Sequence, residues 1–567
     1  MSLYDDASLI LYPSGYKEDK IYSLKPTDGS GDLTFTRAST ATRVNAEGLI
    51  EESPVNLLLQ SNSFSTTWTN TSTTETSGQS GYDGTNNAWL LTKPATSFAR
   101  IQQTFSSTSG LKTFSVYLKA GTLSWCRLFA GSAPSPNIYV NLSNGSLGSQ
   151  YDNISATSTD VGAGWYRVSL TFDASISEIR IYPADANDSV SGISGNIYIQ
   201  DAQLNIGATA LPYFPTTDRL DVPRIDYTGG GCGKLLLEGQ RTNLALYSEQ
   251  FDNAAWTKVR CTITANQTTS PDGTTSADLL TSTATLEPYI ENATSVTVSG
   301  TQQTISCFVK KGTSDFAHFV LWDSSANGVR QWFDLTNGTT GGSIPFGAGV
   351  SVSSASIKAY TNGWYKCIAI VNCSITSVRF RVSASNANFS TNSTIGKTIY
   401  VWGYEINANA SYPTSYIPTT STSVTRLADE ISTLDITSFS IGNSYTILID
   451  AELNALENNK VFFTGKTSAN TDSFTLRNVI GQLRLYNTID SSYPLTSYSS
   501  STNKWVLKID GTSYKIFYYG GSAASTFTTA RNFGKFNFEG SSTELKMQNL
   551  IIFPSALSDA DCIALTL

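Results

Sequence analysis

Apolar and polar residues alternate along most of this chain in short runs, and many runs end at Asn-Gly or Asp-Gly. A period of two predicts β-strands with one buried face, and these dipeptides predict tight turns between them. One run occurs twice. Thr113-Phe-Ser-Val-Tyr-Leu-Lys-Ala-Gly-Thr122 returns as Thr304-Ile-Ser-Cys-Phe-Val-Lys-Lys-Gly-Thr313, with Thr, Ser, Lys, Gly and Thr at the same offsets. Lys119 and Lys310 precede the Gly-Thr turn and read as solvated ends of a strand.

The surrounding segments return in the same order. Asn56-Leu-Leu-Leu-Gln-Ser-Asn-Ser-Phe64 with Trp68 matches Asn243-Leu-Ala-Leu-Tyr-Ser-Glu-Gln-Phe251 with Trp256. Asp83-Gly-Thr85 matches Asp272-Gly-Thr274, and Tyr139-Val-Asn-Leu-Ser-Asn-Gly145 matches Trp332-Phe-Asp-Leu-Thr-Asn-Gly338. Gly164-Trp-Tyr-Arg-Val168 matches Gly363-Trp-Tyr-Lys-Cys367, and Ile197-Tyr-Ile199 matches Ile399-Tyr-Val401. The copies close on Tyr213-Phe-Pro-Thr-Thr217 and Tyr416-Ile-Pro-Thr-Thr420. Short strands between regular turn signals predict an all-β sandwich or jelly roll, here duplicated over 33–218 and 219–425.

Residues 1–32 read either as an N-terminal anchoring arm or as a first strand and loop. The last segment, 426–567, has a different pattern. Tyr445–Asp450 and Leu550–Phe553 read as strands, and Trp505–Tyr518 reads as a hairpin turning at Asp510-Gly511. Ser558 is the expected N-cap of a short terminal helix. The predicted class is therefore all-β: arm, two homologous jelly rolls and a C-terminal sandwich.

Composition narrows the function. Of 567 residues, 40% are apolar, enough for several cores, and only 14% are charged. The net charge is −8 and the basic residues are scattered, which argues against a nucleic-acid surface. No apolar run is long enough to span a membrane, and the first residues lack the pattern of a secretory signal. The seven cysteines include none in Cys-x-x-Cys spacing, so free thiols made in a reducing cytoplasm are expected. Gly229-Gly-Gly-Cys-Gly233 reads as a turn rather than a phosphate loop.

The repeats resemble carbohydrate-binding-module jelly rolls through Asn-Leu…Phe…Trp, the Lys-x-Gly-Thr strand, Gly-Trp-Tyr and the late Ile-Tyr strand. The tail resembles a laminin-G/concanavalin-A-like sandwich through its hairpin and Asn549-Leu-Ile-Ile-Phe-Pro-Ser-Ala-Leu-Ser558. With Phe35-Thr-Arg-Ala-Ser-Thr-Ala-Thr-Arg-Val44 and Arg241-Thr-Asn-Leu-Ala-Leu-Tyr-Ser248, the whole resembles tailed-bacteriophage virion proteins: head or tail fibres and decorations. That resemblance implies a virion-surface location, anchoring to other virion proteins through the N-terminus, attachment to cell-surface glycans, and a homo-oligomer, trimeric in the family. It also implies a structural calcium held through an acidic late-strand residue. Asp201 of Gln200-Asp201 offers one in the first copy, whereas the second has Trp402-Gly403.

Sugar binding needs aromatic rings and a few oriented polar groups. Alternation puts Trp125 and Arg127 on one strand face, Phe316 and His318 on its counterpart, and Tyr139 and Trp332 on a neighbouring strand. These six are the candidate ligand contacts, and Trp165 and Trp364 are assigned to the core. His318 is the one histidine, which excludes a histidine metal cluster, and its counterpart is Arg127, so no catalytic role is shared. Acidic residues are sparse within strands. The chain is expected to lack enzymatic activity. The alternatives are a purely structural decoration or collar protein, and a polysaccharide-degrading tail protein with two carboxylates about 5–10 Å apart.

Overall fold

The computed structural model describes residues 3–53, 56–108, 110–131, 135–439, 441–456, 461–467, 473–479, 482–487, 495–497, 504–518, 521–526, 533–538 and 543–567. The chain is all β, with one α-helix among the described residues, Asp559–Thr566, capped where Ser558 Oγ accepts from Asp561 N at 3.1 Å. No described helix is long and apolar enough to cross a membrane. The chain divides into two compact units, 51–220 and 1–50 with 221–567.

Unit 51–220 is a sandwich of two six-stranded antiparallel sheets. One runs Ser146–Tyr151, Asn137–Asn141, Trp125–Gly131, Ile176–Ala184, Arg100–Thr108, Thr69–Thr71. The other runs Ser155–Gly162, Trp165–Asp173, Leu111–Ala120, Gly195–Ile206, Ala88–Lys93, Thr74–Gln79. The duplicated strand Leu111–Ala120 is central, and both of its faces are covered. Phe114, Val116 and Leu118 enter the core. On the other face Thr113 bonds Thr171, while Arg167 donates to Ser115 and stacks on Tyr117.

The recurring motifs fasten the two ends of this module. Asn56 Nδ2 donates to the carbonyls of Ala202 and Phe214, Ser61 Oγ meets Tyr213 OH at 2.7 Å, and Thr216 Oγ1 donates to Leu58 O. In the second module Asn243 serves Tyr404 and Ile417, Ser248 meets Tyr416 at 2.7 Å, and Thr419 serves Ala245. The Asn-Gly turns have their own reason. Gly145 and Gly338 sit at φ +71° and +65°, and a Cβ would lie 2.4 Å from Tyr166 and 2.8 Å from Tyr365.

The second unit holds the other jelly roll. Its sheets centre on Phe316–Trp322 with Ser377–Ser385, and on Gln302–Lys311 between Thr398–Ala408 and Trp364–Cys373. Trp165 and Trp364 are both buried, as assigned.

The C-terminal sandwich is assembled from distant pieces of chain. Thr543–Phe553 lies between Ser444–Leu456 and Lys234–Glu238, and Leu9–Leu11 also pairs with it, Leu9 opposite Ile552. Tyr16–Lys17, Lys20–Ile21 and Leu33–Thr36 form a sheet with Glu430–Ile431. Leu9, Leu11, Phe35, Leu235, Leu237 and Ile552 share one core. Residues 9–36 are thus not an arm standing apart from 426–567, and 224–238 does not open the second jelly roll. Both supply strands to a base from which the two jelly rolls are insertions. The physical reason is burial: Leu9-Ile-Leu and Lys234-Leu-Leu-Leu-Glu238 are strands whose apolar side chains need a sheet.

Five buried charges join these pieces. Asp429 accepts from Arg37 Nη1 at 2.8 Å, from Arg224 Nη2 and from Glu238 N at 2.8 Å. Glu238 accepts from Arg224 Nη1 at 2.8 Å, from Arg426 Nη1, and from Ser415 N and Oγ at 2.7 Å. Arg37 lies before the first insertion, Arg224 after it, Glu238 before the second, and Arg426 and Asp429 after it. All five are at most 1% exposed.

All seven cysteines are free, Cys232 exposed and the others buried, and burial pushes the thiols of Cys126 and Cys307 well above the usual range.

Candidate functional site

The outward face of the first module's sheet follows from alternation along Trp125–Gly131. Cys126, Leu128 and Ala130 enter the core, so Trp125, Arg127 and Phe129 face out and are half-buried. The register sets Arg127 opposite Tyr139 on one side and Tyr182 on the other, and Phe129 opposite Asn137 and Arg180. The Arg127 guanidinium lies 5.0, 5.4 and 5.5 Å from the ring centroids of Phe129, Tyr139 and Tyr182. Its Nε donates to Asn137 Oδ1 at 3.1 Å, and no ion pair to a described carboxylate holds it. Arg180 stacks on Phe129 at 4.9 Å, pairs with Glu178 and donates to Tyr182 OH at 3.1 Å; Arg100 sits 5.9 Å over Tyr182. Rings and guanidinium groups therefore alternate across three strands.

The second module has the same grid with different contents. Phe316 replaces Trp125, His318 replaces Arg127, Trp332 replaces Tyr139, and Arg381 replaces Arg180. The His318 ring stacks on Trp332 at 5.3 Å, and Phe389 lies 5.8 Å beyond. Trp332 Nε1 donates to Ser390 O at 2.7 Å, so the 386–390 segment lies across the indole. Phe389 is itself 56% exposed and adopts a left-handed φ of 63°. Its first-module counterpart is Asp188, φ 59°, whose carboxylate accepts from Tyr151 OH instead.

Ion pairs fill the rest of this face. Glu287 meets Arg330 at 3.3 Å, and Glu291 meets Arg379 at 3.1 Å and Arg381 at 2.6 Å. Arg381 lies 4.0 Å from Tyr289 and 4.1 Å from Trp322. Glu287 Oε1 stands 3.8 Å from His318 Nε2, and neither imidazole nitrogen has a hydrogen-bond partner. Burial holds His318 below its usual pKa against the pull of Glu287. For Glu287 burial acts upward, but His318, Arg330 and Arg381 outweigh it and lower the pKa.

Of the six expected ligand contacts, Trp125, Arg127 and Phe316 are partly exposed. Tyr139, His318 and Trp332 are 3%, 0% and 0% exposed, because neighbouring rings or the 386–390 segment cover them. Those three shape a surface without offering one. The two sets belong to different compact units and form two faces, one per module. Phe129, Arg180 and Tyr182 complete the first face and were not singled out. The parity of Trp125-Cys-Arg-Leu-Phe129 and Ile179-Arg-Ile-Tyr182 carries the signal for them.

Asp201 lies at a β-bulge, φ 53°, and its counterpart Gly403 lies at the same bulge, φ 61°. The Asp/Gly difference thus answers to backbone conformation, since both residues tolerate the left-handed region. The Asp201 carboxyl is buried and accepts from Tyr82 OH at 2.9 Å. Burial raises its pKa to about 6. Among the described residues no three His, Cys, Asp or Glu side chains gather as a metal would require.

No protein-family model matches the chain, and no curated protein does. Solved structures with a similar arrangement include a tandem carbohydrate-binding module pair of Paenibacillus barcinonensis Xyn10C. It has 12% identity and a TM-score of 0.20, with 66% of this chain and 100% of that one covered. Another is the mouse laminin α1 LG4–5 pair, with 8% identity, TM-score 0.15, and 56% and 92% covered. A third is Trypanosoma rangeli sialidase, with 9% identity, TM-score 0.20, and 94% and 98% covered. These likenesses concern β architecture alone. The expectation of a chain without enzymatic activity is corrected by the third: an enzyme stands among the neighbours, and that expectation is withdrawn. At such scores the likeness argues for no particular activity.

Proposed function

We propose that this chain is an attachment protein that binds glycans through the outward sheet face of its first jelly roll. The observation that carries this reading is the half-exposed outward row of Trp125, Arg127 and Phe129, with Arg127 held between the buried rings of Tyr139 and Tyr182. Aromatic rims take the apolar faces of sugar rings, and a guanidinium without a carboxylate partner supplies donors to hydroxyl oxygens. The second face is occupied by its own ion pairs and by Phe389, so the first module is the binding copy.

We place the protein on a tailed-bacteriophage virion, because of the resemblance carried by Phe35–Val44 and Arg241–Ser248. The base sandwich is then the part that mounts on the particle, and repeated copies convert weak sites into avidity. The competing reading is a purely structural decoration, which has the Trp125 face covered by a neighbouring subunit.

Affinity electrophoresis of the intact protein in gels containing host-surface polysaccharides tests the proposal. Retardation should be lost in Trp125→Ala and Arg127→Ala with the melting temperature kept. Equal mobility of wild type and both variants across the panel would overturn it.

A further inference from the structure

A groove of about 460 Å³ opens in the second module between the strand Arg241–Asn243, the 297–299 segment and the end of Thr398–Ala408. That size is within the usual range for small-molecule sites. Gln240, Arg241, Thr242, Ser299 and Asn409 line it with amides, hydroxyls and one guanidinium, and Leu244 adds an apolar contact. Among the described residues no acidic side chain lines it.

Arg241 is preorganised and electrostatically unanswered. Its guanidinium stacks on Tyr412 at 4.3 Å and donates Nη1 to Gln240 O at 2.9 Å, while Nε is buried without a hydrogen-bond partner, which leaves the Nη edge for a ligand. No described carboxylate pairs with it. Arg426, opposite it in the strand pairing, is already held by Glu238. A fixed guanidinium fork matches a planar carboxylate, and the surrounding amides and hydroxyls match sugar hydroxyls.

We infer that this groove binds a carboxylated sugar, with the carboxylate on Arg241 and the ring hydroxyls on Gln240, Thr242, Ser299 and Asn409. In the sequence repeat Pro54 corresponds to Arg241, so the first copy lacks the guanidinium and the site belongs to the second copy alone. It does not depend on the Trp125 face, and either can fail without the other.

Isothermal titration calorimetry on the intact protein with glucuronate, glucose and inorganic phosphate tests it. Glucuronate should bind wild type and Trp125→Ala alike, weaken about tenfold or more in Arg241→Gln, and recover partly in Arg241→Lys. Ser299→Phe, which fills the groove without touching the charge, should abolish binding, and melting curves should show all variants folded. Glucuronate binding absent from wild type, or unchanged in Arg241→Gln and Ser299→Phe, would overturn the inference. So would glucose or phosphate binding as tightly as glucuronate, since either means that no carboxylated sugar is selected.

Discussion

Glu238→Gln removes one of two carboxylates holding three buried arginines. Wild type sets Glu238 and Asp429 against Arg37, Arg224 and Arg426, all screened from water. Breaking a buried ion pair from one side costs about 3–5 kcal/mol, because the remaining charge stays buried without its partner. The amide retains oxygen for Ser415 N, so the loss falls on Arg224 and Arg426. The base comprises roughly 200 residues, for which each kcal/mol moves the melting temperature about 2–4 °C, so a fall of about 6–20 °C is expected by calorimetry. The pH dependence has a definite sign. Burial acts to raise the Glu238 pKa, but Arg426 and Arg224 dominate and hold it below its ordinary value of 4.5. A depressed carboxylate contributes stability above the unfolded-state pKa, and loses it as pH falls through the folded value. The gap between wild type and variant should therefore narrow on acidifying below about pH 4.5. Adding Arg426→Gln to Glu238→Gln should cost less than the two changes summed. A Glu238→Gln melt within about 2 °C of wild type at neutral pH would refute the clasp.

Phe389→Ala should expose Trp332, seen as a red-shifted emission and stronger acrylamide quenching; unchanged quenching would mean that Phe389 does not cover the indole. Asp201 has its pKa raised to about 6 from 3.8, mainly by burial, so its contribution is present below about pH 4 and lost as pH rises through about 6. Asp201→Asn should flatten the fall in the first module's melting temperature between those values, and parallel profiles would contradict this. Glu405→Gln strands Lys366, whose ammonium meets Glu405 Oε2 and Thr414 O at 3.0 Å, and should cost about 3 kcal/mol by urea unfolding. Adding Lys366→Met should recover most of that cost, and no recovery would show that the pair is not the source.

The duplication was legible because its contacts are periodic. Asn56/Asn243, Tyr213/Tyr416 and Thr216/Thr419 are polar residues at special positions in both copies, and each pair makes the same bonds. The base was not legible, because its strands are short and their partners stand several hundred residues away. Leu9-Ile-Leu offers three residues of pattern, and nothing local says that Ile552 lies opposite Leu9. One signal was present. Thr36-Arg37, Pro223-Arg224 and Thr425-Arg426 each place an arginine beside a module boundary. An arginine recurring at boundaries rather than within modules points to a structure shared by the boundaries. For the candidate face, parity put Trp125 and Arg127 on the outward side of their strand but could not report what lies above a strand.

That difference separates the two modules. Both place residue 188 or 389 in the same left-handed turn above the same sheet. Asp188 is polar and turns to Tyr151, leaving Arg127 half-buried among its rings, whereas Phe389 is apolar and lies against Trp332. With one backbone, the turn residue sets how far the face opens. His318 follows from this: a guanidinium beneath Trp332 and the 386–390 segment would be a buried charge beside Arg330 and Arg381, whereas a neutral imidazole stacks on the indole and leaves Glu287 and Glu291 to those arginines. Arg127 stays accessible only where nothing folds over it, so its accessibility and the open turn above it belong to one arrangement.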